Sequence, residues 1–131
     1  MVEPSILLMQ TMYSANIFVA GIVGILCLFF SESIGTQVFA GKALDSIPLK
    51  ILGSFWLSVA LVSIIGLFFP KAMSVLFIIQ FLYKGMWLLV GALPKILNKQ
   101  FDLLPLGMTI CFFIWVLLLP FVIPYKFLFG I

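Results

Sequence analysis

The chain has 131 residues, of which 65% are hydrophobic and only 8% charged. A water-soluble domain carries about 25% charged residues, so this composition excludes that class and points to one small integral membrane domain. The net charge of +3 comes from seven dispersed lysines without any arginine. Nucleic-acid binding, which needs a clustered basic face, is excluded as well.

A helix crossing the hydrocarbon core needs about 20 mainly apolar residues, and four segments qualify. The first covers 6–30 and is broken by SES, and the second covers 49–69 and ends at Pro70. The third covers 71–93 and is expected to stop before Pro94. The fourth, 105–123, opens on Pro105, a good first-turn residue, and is kinked or ended by Pro120 and Pro124. The expected fold is all-α: a single domain over 1–131 with four transmembrane helices in an antiparallel bundle. The N-terminal stretch has no basic leader region and is long enough to span, so it is expected to be retained. The expected location is a multi-pass one in a cytoplasmic or inner membrane.

Two connections, 31–48 and 94–104, mix apolar and polar residues and are expected to lie on the membrane surface as amphipathic linkers. Lys42, Lys50, Lys95 and Lys99 fall on one side of such a bundle, Lys71 and Lys126 on the other. The positive-inside rule, at four lysines against two, favours the first side as cytoplasmic and leaves dual insertion open. Small residues mark close helix approach. Gly21 and Gly24 share a face of span one with Ser14 and Ile17, and Gly53 with Ser54 and Ser58 offers the matching surface on span two.

Chemistry-bearing motifs are sparse. GTQVFAGKA (35–43) has five residues between its glycines and Ala43 after Lys42, which a phosphate-binding loop does not tolerate. There is no histidine, and Glu3, Glu32, Asp45 and Asp102 are far apart and near water. Neither a metal site nor paired-carboxylate acid–base work is supported. Cys27 and Cys111 lie inside apolar runs and are expected to pack, not to pair. No enzyme and no cofactor is expected.

One residue breaks the pattern. In IIQFLYKGMWLLVG (78–91), Lys84 stands ten residues before Pro94 and thirteen after Lys71. At ~1.5 Å per residue it lies roughly 15–20 Å from either end of the span. A mid-span lysine costs at least ~2.5–3.5 kcal/mol and is expected to face the bundle interior or a wet cavity. Three outcomes stay open: the side chain leans toward one face and thins the bilayer, it meets a ligand or ion, or it meets another subunit. Gln80, Tyr83 and Trp87 surround it on its own helix, while Asn16 and Ser14 on span one and Trp56 and Ser58 on span two lie at similar depth. These eight residues are the candidate ligand-binding set.

The stretch KILGSFWLSVALVSIIGLFFPKAMSVLFIIQFLYKGMWLLVGALP (50–94) and the short spans around it resemble the DoxX-like small membrane proteins. The likeness rests on ILGSFW opening span two, GLFFP closing it and a glycine late in span one. It implies a four-helix bundle and a role as an accessory subunit, in some members of quinone-linked oxidoreductases. It carries over no catalytic residue. The functional expectation is a non-enzymatic accessory or small-ligand/lipid-binding subunit. Its partners would be the lipid bilayer and a lipid, quinone-like or anionic small molecule, as a homo-oligomer or within a larger membrane complex. The alternatives are a small oligomeric transporter or channel for an anionic solute and a membrane enzyme with Lys84 as its base.

Overall fold

The computed structural model describes residues 3–32 and 46–131. Most of the 31–48 linker, with Lys42, Asp45 and the GTQVFAGKA segment, lies outside the described residues. The described chain is helical, without strands among the described residues. Its long helices are α1 (Ile6–Phe29), α2 (Ser46–Phe68), α3 (Val75–Leu97) and α4 (Leu106–Val122), followed by a short α5 (Tyr125–Phe129). Three of them, α1, α2 and α3, are long and apolar enough to cross a membrane, and α4 is a shorter apolar helix of 17 residues.

Local chemistry sets the helix ends. Ser5 caps α1 by accepting from the Leu8 backbone N–H at 3.1 Å. Ile123 is extended, as the residue before a proline prefers to be, and so α4 stops before Pro124. Pro124 has no N–H to give the Pro120 carbonyl, and the Tyr125 hydroxyl donates to it instead at 2.9 Å. Pro120 itself is accommodated inside α4.

The third helix departs from expectation at both ends. It begins at Val75, after a turn over 70–74, and continues through Pro94 to Leu97. A proline inside a helix lacks an N–H and crowds the carbonyl four residues back. Here the ladder widens into a π turn over Leu88–Ala92, with the Leu93 N–H bonded to Leu88, and the proline is absorbed without a break. The residues after it form only a 3₁₀ turn, Phe101–Leu103, before α4.

The tightest pairing is between α1 and α2. A Cβ on Gly24 would stand 2.7 Å from the Leu57 backbone nitrogen, and one on Gly53 would stand 2.7 Å from that of Leu28. Gly21 faces Ala60 in the same seam, and Gly66 lies under the ring of Tyr13. Ser54 and Ser58 do not join this seam: both are exposed, and each hydroxyl donates to the carbonyl one turn back in its own helix. At the other end of the pair, Gln10 donates to the Leu67 carbonyl at 3.0 Å and Tyr13 to the Pro70 carbonyl at 2.6 Å. Carbonyls left without helical partners at the end of α2 are thus satisfied by side chains of α1.

Two apolar clusters result. Met9, Tyr13, Leu76, Phe77, Leu119 and Val122 pack at the end that holds the start of α1, with Tyr13 stacked on Phe77 at 4.5 Å. Cys27, Leu49, Trp56 and Phe112 pack toward the other end. Between them lies a polar layer. Gly24→Ala should lower stability by about 1–3 kcal/mol, because its new methyl meets backbone rather than a flexible side chain. Gly85→Ala, with open space at its Cβ, should be neutral or slightly stabilising. Thermal unfolding of both variants in one detergent checks this, and equal midpoints would show that the glycine seam is not tight.

Candidate functional site

The polar layer is assembled by α1, α3 and α4. On α3, Leu76, Phe77, Gln80 and Lys84 share one buried stripe, so this helix turns its polar residues inward. In hydrocarbon there is no water to satisfy an amide, so it must find partners inside the protein. Asn16 and Gln80, both 1% exposed, form a reciprocal pair: Asn16 Nδ2 donates to Gln80 Oε1 at 2.9 Å and Gln80 Nε2 donates to Asn16 Oδ1 at 3.0 Å. Trp115 Nε1 on α4 donates to the same Asn16 Oδ1 at 2.8 Å. One asparagine therefore joins three helices.

Above this bridge opens a cavity of about 390 Å³. Lys84 stands in its wall, 6% exposed, and donates to Tyr83 Oη at 2.7 Å. Its ammonium lies 4.3 Å from the ring centre of Phe112 and 4.6 Å from that of Tyr83, within cation–π range. Among the described residues no carboxylate pairs with it. Trp56 from α2 and Cys111 and Phe112 from α4 complete the inner wall.

Of the eight residues singled out in the sequence, Lys84, Gln80, Asn16 and Trp56 line the cavity. Tyr83 and Trp87 stand one layer behind. Tyr83 packs edge-on against Phe55 and Phe112, at 4.9 and 6.0 Å, and Trp87 meets Phe112 at 5.6 Å. Trp87 also lies over Gly91, where a Cβ would come within 3.0 Å of its indole nitrogen. Both aromatics set the position of Phe112, and Tyr83 also holds Lys84. Ser14 and Ser58 do not belong to the cavity. Ser14 donates to the Gln10 carbonyl in its own helix at 2.9 Å, and Ser58 lies on the exposed face of α2. Depth alone placed them beside Lys84, but the rotation of each helix, fixed by the glycine seam, turns them elsewhere.

Sequence reasoning missed the whole contribution of α4. A signal was present: Trp115 stands nine residues into α4, far from the interfacial belt where tryptophan is usual, and its N–H needs a partner there. Comparisons with protein-family models, characterised proteins and solved structures return no match to this chain. The site therefore rests on its own chemistry.

Asn16→Leu leaves the Trp115 N–H without its partner and strips the Gln80 amide of both its bonds to Asn16, and should cost about 1–2 kcal/mol. Adding Gln80→Leu removes that amide and should recover part of the loss. A double-mutant cycle followed by thermal unfolding in detergent measures the coupling. Strict additivity would mean that the amide pair contributes nothing.

Proposed function

We propose that this chain is a non-enzymatic, multi-pass membrane protein that holds a small ligand or lipid in an intramembrane pocket around Lys84. The observation that carries this reading is the buried ammonium in a cavity wall, beside aromatic rings and amides, without a carboxylate partner among the described residues. A buried charge persists when something solvates or neutralises it. The cavity leaves room for water or an acceptor-bearing molecule to do so.

The reading includes a four-span antiparallel arrangement in a cytoplasmic or inner membrane. The 17 residues of α4 reach ~25 Å, at the short end of what spans a bilayer. Contacts support the arrangement: Gln10 meets Leu67, Gly24 meets Leu57, and Gln80 and Trp115 meet through Asn16. A role as an accessory subunit within a larger complex fits both the size of the chain and its resemblance to DoxX-like proteins. The transporter alternative is less well supported, because the cluster of Met9, Tyr13, Phe77 and Leu119 fills the bundle below the Asn16 bridge.

Native mass spectrometry from lipid nanodiscs tests the pocket. Wild type should retain a bound small molecule or lipid, and Lys84→Met should lose it while inserting at least as well, since it removes a mid-span charge. Unchanged retention in the variant would remove the pocket from consideration. Reporter tags at the two termini test the topology: both should be accessible from the same face of the membrane, and opposite faces would exclude four spans.

A further inference from the structure

The hydrogen-bond inventory of the cavity specifies what it lacks. Asn16 Oδ1 accepts from both Gln80 and Trp115, so its two lone pairs are occupied. Asn16 Nδ2 and Gln80 Nε2 each donate once to the other residue, and the Gln80 side chain is also hydrogen-bonded to Tyr83, so the spare amide N–H is that of Asn16. Lys84 gives one N–H to Tyr83 and keeps two. Against these donors the cluster offers little acceptor capacity, since Tyr83 Oη already accepts from Lys84 and is hydrogen-bonded to Gln80 and Trp56 as well. The unused capacity is therefore donors with a positive charge, and it matches a ligand that brings acceptors and negative charge.

The rest of the wall is apolar, with Val19, Val23, Trp56, Leu106 and Phe112 prominent. Its lining comes mainly from α1 and α4, and it opens where residues of these two helices are exposed. Val19 is 39% exposed and Leu106 52% exposed at that edge. In a bilayer such a gap faces acyl chains. The depth of Lys84, ~14 Å along α3 from Val75, disfavours a phospholipid, whose phosphate and glycerol would have to leave the headgroup layer. A carboxylate on a single chain is smaller, presents two acceptor oxygens and leaves its tail in hydrocarbon.

We propose that the cavity binds a single-chain carboxylate amphiphile, a free fatty acid in chemical class, that enters sideways from the bilayer between α1 and α4. Its carboxylate meets Lys84 and the spare amide N–H of Asn16. Its tail runs along Val19, Val23 and Leu106, and any excess length passes back through the gap into lipid. A volume of about 390 Å³ suits the head and the first part of such a chain, within the ~300–1,000 Å³ of small-molecule pockets. This rests on the pocket reading above and specifies its ligand.

The test uses intrinsic fluorescence. All three tryptophans are at the site: Trp56 and Trp115 line the cavity and Trp87 packs behind Phe112. The full chain in phosphatidylcholine nanodiscs is titrated with 9,10-dibromostearic acid, its methyl ester, and the corresponding single-chain phosphocholine. The acid should quench saturably, while the ester and the phosphocholine should quench only in proportion to their concentration in the lipid. Lys84→Met should weaken the saturable component roughly 10- to 100-fold, and Lys84→Arg should keep it. Val19→Phe should slow its onset several-fold in stopped flow without abolishing it. Equal saturation by acid and ester would overturn the carboxylate class and leave the pocket reading intact. No saturable quenching by the acid would overturn the proposal, and native mass spectrometry then decides the pocket itself: another retained molecule preserves it, and an empty spectrum removes it. An unchanged onset in Val19→Phe would overturn the sideways route. If a Lys84 variant fails to fold, the comparison of acid with ester on wild type still decides.

Discussion

Asn16 is the residue on which the middle of this protein depends. Within hydrocarbon an amide has no water to fall back on, so each buried polar group must be answered by another. Asn16 answers two helices at once, with its oxygen accepting from Gln80 and Trp115 and its nitrogen donating to Gln80. Apolar side chains can slide past one another in lipid at little cost, because lipid tails are as apolar as leucine. A three-way bridge cannot slide. It fixes the rotation of α3 and α4 relative to α1, and with it the positions of Lys84 and Phe112.

The second constraint is steric. Gly24 and Gly53 let α1 and α2 approach until backbone meets backbone, and this closeness sets the rotation of α2. Trp56 is turned inward as a result, while Ser54 and Ser58 are turned outward. On the far side of α1 no comparable glycine seam is present among the described residues. The contact with α4 is sparse, and the space between them becomes the cavity. Close packing on one flank of α1 and loose packing on the other thus give the site both its rigid wall and its opening.

These constraints also explain what the sequence revealed and what it concealed. Helix class and the first two apolar stretches follow from composition and run length, which are local properties. Lys84 and Gln80 stand out because polar residues four apart in an apolar run must share a buried face, and Asn16 stands out as an amide in the middle of the first apolar run. The passage of α3 through Pro94 was hidden, because a π turn is a response of the backbone that side-chain pattern does not announce. The exclusion of Ser14 and Ser58 was hidden too. Residue counting gives depth along a helix but not its rotation about its axis, and a hydroxyl can always satisfy itself on its own helix. The α4 wall required knowing which helix lies opposite Lys84, which is a property of tertiary packing.

The energetics of Lys84 bear on whether the pocket can exist empty. A lysine at the middle of a membrane span costs at least ~2.5–3.5 kcal/mol on insertion scales. The hydrogen bond to Tyr83 returns roughly 1–2 kcal/mol in a membrane setting, and the rings of Phe112 and Tyr83 return about 0.5–2 kcal/mol as cation–π partners. These sums are comparable, so the chain can fold with its ammonium held sideways against aromatic faces and no anion present. The side chain does not need to stretch toward the headgroups for relief, since its neighbours already supply it. An acceptor entering the cavity would find a cation whose position is set in advance by Tyr83 and Phe112, themselves fixed by Phe55 and Trp87. Little ordering of the protein would remain to be done at that point, so that more of the electrostatic attraction would go into binding.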